Sequence, residues 1–387
     1  MGTEIGRCRL VDGEIGESPA AQQLIPLASR RIQIGPIAWL KIGARLLSQT
    51  FCITAAHLAV KLRYDDYDKQ GAKHLDDIPK RELGRTGLNV TALGFGALEL
   101  RGMVAGVGRK LRPGQPERIL NAVLDAGINY IDVAVDYGEA EEHIGMCIAN
   151  RRREFFLASK CGCPPDVSKF LPTERTRYGV PLPRLHDYSR ENIIKTCDQS
   201  LRRMKTDYLD VLQLHFSPAK KLLEQEKALQ TMESLKRDGK VRFLGCSSIL
   251  PNINDHIDMG VFDVLQVPYS ALQPEHEDAI AIAAKAGIGI VIRGGVAKGS
   301  PDNGQGSADI WDLWYKAELD ELLDGESPTE FMLRFTITNR NIHTTVVGTL
   351  HPEHLLENVA AVLKGPLPAS QYSEAKSRLA KAEQETR

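Results

Sequence analysis

The sequence lacks the net charge, the long apolar run and the paired-cysteine spacing that would assign it to a specialised class. A formal net charge of −1 over 387 residues gives no global field to draw in nucleic acid or an anionic membrane. The nearest approach to a membrane span, Leu46 to Val60, is interrupted by Ser48, Gln49, Thr50 and His57 and falls short of the roughly 18 apolar residues a span needs. The seven cysteines, at positions 8, 52, 147, 161, 163, 197 and 246, are odd in number and without Cys-x-x-Cys spacing. They fit reduced thiols in a cytoplasmic protein better than a disulfide framework or a zinc site. No Gly-x-Gly-x-x-Gly repeat follows an early strand, which argues against a Rossmann domain.

Acidic residues are also missing locally. None occurs from Ser18 to Tyr64, while Arg30, Arg31, Lys41, Arg45, Lys61 and Arg63 make that stretch basic. A transit peptide has such a composition but begins at the N-terminus, and here Glu4, Asp12, Glu14 and Glu17 come first. Residues 1–78 are therefore expected to be a disordered extension, or residues translated upstream of the true start, with the folded domain at 79–387.

What is present is ordinary globular composition, with 42% hydrophobic and 26% charged residues, enough to bury a substantial core. From Lys80 onward one grammar repeats, an amphipathic helix that ends at glycine and passes directly into a short apolar run. DAGINYIDVA, RDGKVRFLGCS, DMGVFDVLQV and KAGIGIVI place Gly127, Gly239, Gly260 and Gly287 at helix C-caps, where positive φ is cheap for glycine. Adding ALGFG, EFFLASK, YLDVLQLH and NIHTTVVG gives eight strands alternating with helices, the number of a (β/α)8 TIM barrel. Ser189 is expected to cap one helix. Ser327-Pro328-Thr329-Glu330 forms a capping box that starts another running to about Thr338. Two long connections, Cys161 to Tyr188 and Arg293 to Asp309, follow strands on the mouth side and are expected to wall a substrate pocket.

Polar residues stand at the ends of successive strands: Asp132 and Tyr137 at the second, in a polar turn that also holds Asp136, then Lys160 in ASKCG and His215 closing LQLH, and Asp132, Tyr137, Lys160 and His215 would face one another. Each alone reads as a turn former, a rim residue or a satisfied core group. Together at one barrel mouth they form a proton-donating unit, with a lysine to lower a phenol pKa, an aspartate to hold the lysine and an imidazole to orient an oxygen.

These motifs, RELGRTGLNVTALGFG, DVAVDYGEAEEHIG, ASKCG, YLDVLQLH, GCSS, LQVPYS and VVGTLHPEHLLENV, resemble those of the aldo-keto reductases over about Lys80 to Ala382. The resemblance implies a (β/α)8 barrel with an N-terminal β-hairpin, an Asp132, Tyr137, Lys160 and His215 tetrad, and no metal in catalysis. It implies hydride exchange between a nicotinamide cofactor and a small aldehyde, ketone or alcohol, with NADP(H) favoured and NAD(H) the alternative. Ser247, Ser248 and Gln266 fall where the family holds the nicotinamide carboxamide, although Asn is commoner at position 248. Arg293 stands where many members stack an aromatic ring, and Gly348, Thr349, Glu357 and Asn358 fall at the adenosine and phosphate end. The other readings are a regulatory or scaffold protein that keeps the barrel but turns over little, and a metal-dependent isomerase or hydrolase, for which the sequence offers no clear ligand cluster. Deleting residues 1–78 is expected to leave turnover and thermal melting nearly unchanged, and a melting point lower by many degrees would show that the extension packs on the barrel.

Overall fold

The computed structural model describes residues 78–104, 107–163, 174–175, 181–182, 186–300 and 306–385, within the compact unit Lys73–Arg387. The expected extension lies outside these residues apart from Ile78, which is 2% exposed and packs in the core.

The first elements are β1 (Lys80–Glu82) and β2 (Asn89–Thr91), an antiparallel hairpin with Glu82 opposite Asn89. Eight parallel strands then alternate with helices: β3 (Leu93–Gly96), β4 (Tyr130–Asp132), β5 (Phe156–Cys161), β6 (Leu209–Leu214), β7 (Val241–Ser247), β8 (Val264–Pro268), β9 (Gly289–Arg293) and β10 (Thr344–Val347). They close into a barrel as β10 pairs back on β3, Thr345 against Leu93. The fold is the expected (β/α)8 barrel with an N-terminal hairpin.

Local signals account for the joints. Gly127, Gly239, Gly260 and Gly287 take φ of 78°, 76°, 66° and 78°, the left-handed geometry that ends a helix and turns the chain into the next strand. Ser189 accepts a hydrogen bond from the Asn192 N–H at 3.3 Å and opens the helix Arg190–Met204. Ser327 accepts one from the Glu330 N–H at 3.2 Å and opens Pro328–Thr338, the helix the capping box predicts.

The hairpin region closes the barrel floor. Leu83, Leu88 and Val90 are buried in one cluster with Tyr130, Ala158, Val211, Val264, Val291 and Val346, one residue from each of six barrel strands. The fit is close at β9, where a Cβ on Gly289 would stand 2.6 Å from Leu83 Cγ. Of the two expected pocket walls, residues 164–173, 176–180, 183–185 and 301–305 lie outside the described residues. Just beyond the second, Trp311 and Trp314 are buried in the helix Ala308–Lys316, and the Trp314 indole N–H donates to Asp320 Oδ1 at 2.9 Å.

Leu83 belongs to the floor, away from the polar strand ends. Leu83→Ala should cost about 2–5 kcal/mol of stability, as large-to-small core changes do, and leave turnover per folded molecule nearly unchanged. Denaturant unfolding and a steady-state assay on one preparation check both, and a large loss of turnover at unchanged stability would contradict the division.

Candidate active site

Strand side chains alternate faces with a period of two, so a residue two positions beyond a floor residue points into the barrel one layer higher. Counting from the floor gives Asp132 above Tyr130, Lys160 above Ala158, Gln213 above Val211, Gln266 above Val264, Arg293 above Val291 and Gly348 above Val346. The lower layer is apolar and the upper one almost wholly polar. Lys160 and Gln213 are direct partners across β5 and β6. Gly245 lies opposite Gln213 on β7 and leaves it room, since a Cβ there would stand 2.9 Å from Gln213 Cγ.

The centre of this layer is the Asp132 carboxylate, 4% exposed. Lys160 Nζ donates to its Oδ2 at 2.6 Å, and the side-chain amides of Gln213 and Gln266 donate to its Oδ1 at 3.0 and 2.9 Å. Lys160 also donates to the Val133 carbonyl at 2.9 Å. Burial pulls the lysine pKa down, but Asp132, with help from Tyr137 and Asp136, more than offsets it, so Lys160 sits above its ordinary value and stays an ammonium. Gln213 is the member of this group that the strand-end reading missed, and its place two residues before His215 on the same face is the signal for it.

Tyr137 lies half-buried just past β4, with Lys160 Nζ 5.0 Å from its ring centre and the His215 ring 6.0 Å away edge-on. Burial pushes the phenol pKa up, Lys160 and Arg293 pull it down, Asp132 and Asp136 push it up again, and the net direction is upward. The lysine effect expected from sequence is present, but burial outweighs it, so the phenol holds its proton at neutral pH.

His215, 7% exposed, follows β6, and its Nδ1 lies 3.2 Å from Cys163 Sγ and 3.4 Å from Asp136 Oδ1. Its ring packs at 4.1 Å on Phe216, and the Tyr188 hydroxyl donates to its carbonyl. Tyr188 reaches that position across Gly162, at φ +92°, where a Cβ would stand 2.3 Å from the Tyr188 ring.

The residues matched to a cofactor divide by environment. Ser247, Ser248 and Gln266 are buried at the ends of β7 and β8, and the Ser248 N–H donates to the Gln266 carbonyl at 2.8 Å. The Ser248 hydroxyl is 2.6 Å from Nδ1 of buried His256, whose Nε2 lies 2.8 Å from the Pro218 carbonyl. Because Nε2 must carry the proton to donate there, Nδ1 accepts from the serine. Gln266 spends its amide N–H on Asp132. Arg293 is half-buried at the end of β9. Beyond β10, Thr349 and Asn358 are buried whereas Gly348 and Glu357 are exposed. A Cβ on Gly348 would come within 2.5 Å of the Gly96 carbonyl, so packing on β3 by itself requires glycine there.

The sequence profile of the aldo/keto reductase family matches residues 92–379. The chain belongs to the aldo/keto reductase family. An oxidoreductase named YqkF from Bacillus subtilis is 27% identical over 299 residues, covering 73% of this chain and 90% of that protein. L-Galactose dehydrogenase of Arabidopsis thaliana is 27% identical over 308 residues, 74% of this chain and 88% of its own. The holo form of aldo-keto reductase AKR11C1 from Bacillus halodurans superposes with a TM-score of 0.64 at 28% identity, covering 79% of this chain and 96% of that one. The chain is thus an oxidoreductase by family, and its barrel is the aldo/keto reductase barrel.

The Lys160 ammonium is the strongest charge pulling the Tyr137 phenol down against burial. Lys160→Met should therefore raise the phenol pKa further, seen as a shift to higher pH in the ultraviolet titration of Tyr137, isolated by comparison with Tyr137→Phe. A titration that keeps its position in the variant would remove Lys160 from that role.

Proposed function

We propose that this chain is an NAD(P)H-dependent reductase of a small aldehyde or ketone, able to run the reverse oxidation, with Tyr137 as the proton donor. The observation that carries the reading is a protonated phenol packed beside an ammonium that a buried carboxylate holds in place. When bound, a nicotinamide dinucleotide supplies or accepts the hydride. Tyr137 gives its proton to the carbonyl oxygen as that oxygen gains charge, and the Lys160 ammonium stabilises the phenolate left behind. Asp132 keeps Lys160 charged and aimed, and His215 orients the substrate oxygen.

The residues fit such a cofactor. Ser248, whose proton is engaged by His256, presents its oxygen as an acceptor suited to the N–H of a carboxamide, and Ser247 and Gln266 lie beside it. Gly348 and Thr349 precede the helix Pro352–Leu363, whose N-terminal N–H groups suit a phosphate. Asn358 and Glu357 stand on that helix toward the adenosine end, and Arg293 reaches the nicotinamide end. From Gly348 to His354 there is no Lys or Arg, and the exposed pair His351 and His354, with ring centres 5.1 Å apart, is the nearest substitute for a 2′-phosphate cation. NADPH is therefore preferred over NADH only modestly. Among the described residues no helix is long and apolar enough to cross a membrane, in keeping with a cytoplasmic enzyme acting on small molecules and not on nucleic acid.

The test is cofactor consumption against a panel of aldehydes, ketones and sugars, with NADPH and NADH compared. Tyr137→Phe is expected to bind cofactor like the parent while turnover falls on the order of 10²- to 10⁴-fold. Unchanged turnover in that variant would refute Tyr137 as the acid. Tight cofactor binding with no turnover on any substrate would favour the regulatory reading.

A further inference from the structure

Beside the tetrad, around Nδ1 of His215, three different ligand types converge. Asp136 comes from the turn after β4, Cys163 from just past the end of β5 and His215 from just past the end of β6, so neighbouring βα loops bring them to one place. All three are buried, and among the described residues they form the group of His, Cys and carboxylate side chains whose ligand atoms all lie within 4.8 Å of one another.

The contacts share one nitrogen. Cys163 Sγ and Asp136 Oδ1 both approach Nδ1 of His215, at 3.2 and 3.4 Å. A Cys–His–Asp relay for nucleophilic catalysis is a different arrangement, because it sets the thiol and the carboxylate on opposite ring nitrogens. Asp136 Oδ1 and Cys163 Sγ both face that nitrogen and can share its proton as acceptors. A cation bound by the thiolate, the carboxylate and the unprotonated nitrogen would take the place of that shared proton.

The spacing suits such an ion. Tetrahedral zinc bonds of about 2.3 Å to sulfur and 2.0–2.2 Å to nitrogen or oxygen place S and N about 3.6 Å apart and N and O about 3.4 Å apart. The two His215 contacts, at 3.2 and 3.4 Å, are within a few tenths of an ångström of those values, and Cys163 and Asp136 lie within 4.8 Å of each other. Thiolate, imidazole and carboxylate together select a borderline-soft ion over magnesium or calcium, and three protein ligands leave a fourth position for water.

We infer that Asp136, Cys163 and His215 form a binding site for a thiophilic divalent cation of the zinc class, and that its occupancy arrests turnover. Binding releases the thiol proton to water and involves no redox change. The arrest rests on the reductase reading: a bound ion ties His215 away from the substrate oxygen and sets positive charge in the mouth where the nicotinamide ring becomes cationic.

The test uses the full chain freed of metal with a chelator and titrated with Co²⁺ in the absence of cofactor and substrate. One equivalent is expected to produce a sulfur-to-cobalt charge-transfer band in the near ultraviolet. Cys163→Ala should abolish the band. Asp136→Asn should retain it with affinity at least about tenfold weaker, and replacing Cys8, Cys52 and Cys147 by serine should leave it unchanged. A band that survives Cys163→Ala, or no band in a parent chain that melts normally, overturns the site. In the assay, micromolar Zn²⁺ is expected to reduce turnover of the parent at least about tenfold, reversibly with EDTA, and that of Cys163→Ala less than about twofold relative to its own metal-free rate. Parent enzyme that turns over at its metal-free rate when saturated with Zn²⁺ overturns the arrest. Because the cobalt band is read without substrate, a chain that binds the ion but reduces no carbonyl refutes the reductase reading and leaves the site intact.

Discussion

The interior of this barrel is arranged around a carboxylate kept from water. An ionised aspartate at 4% exposure would be strongly destabilising alone, and it is tolerated because one ammonium and two amide N–H groups converge on its two oxygens. Removing one partner from such a group typically costs more than the group contributes as a whole, about 3–5 kcal/mol for a buried ion pair. The positions of Lys160, Gln213 and Gln266 on three different strands are thus coupled by one charge. Tyr137 inherits its surroundings from the same arrangement, since the lysine beside it is charged and immobile on account of Asp132.

Most of the architecture is legible from short-range chemistry. Glycine at the helix ends, a Ser-Pro-Thr-Glu box and apolar runs of strand length are local devices, and each is found where its residues imply. The tetrad positions are legible as strand ends, and closing the barrel then brings them to one mouth. Other features depend on depth or on long-range contact. Gln213 sits inside a continuous apolar strand, LDVLQL, and only the period of two measured from a floor residue reveals that it faces inward. The sign of the Tyr137 shift is set by burial of the phenol, which no neighbouring residue in the sequence reports. His256 reads as one more polar residue on a short helix until its bonds to Ser248 and Pro218 are seen. Gly348 suggests a phosphate cradle in sequence, whereas contact with the Gly96 carbonyl already accounts for it.

The two ends of the barrel divide the labour. The hairpin region supplies a layer of Leu and Val that fills the floor with apolar contact and needs no partners, while the layer above holds groups that are useful because they are charged or hydrogen-bonded. Substitutions in the first chiefly affect stability and those in the second chiefly affect chemistry, as is general for this fold. The convergence of Asp136, Cys163 and His215 belongs to the second end, where loops from adjacent strands meet and unusual combinations of side chains become neighbours.

The hydrogen bonds to Asp132 also span the chain unevenly. Its partners lie 28, 81 and 134 residues further on, so the carboxylate emerges with the second barrel strand and is not fully compensated until the sixth has docked. A half-barrel of the first four strands would hold the ion pair and the Gln213 amide without that of Gln266, leaving an incompletely compensated charge at its open edge. That energetic gap penalises partial assemblies and ties closure of the barrel to completion of the site, so a population of closed molecules lacking an ordered Asp132 cluster is disfavoured by the same interactions that position Lys160.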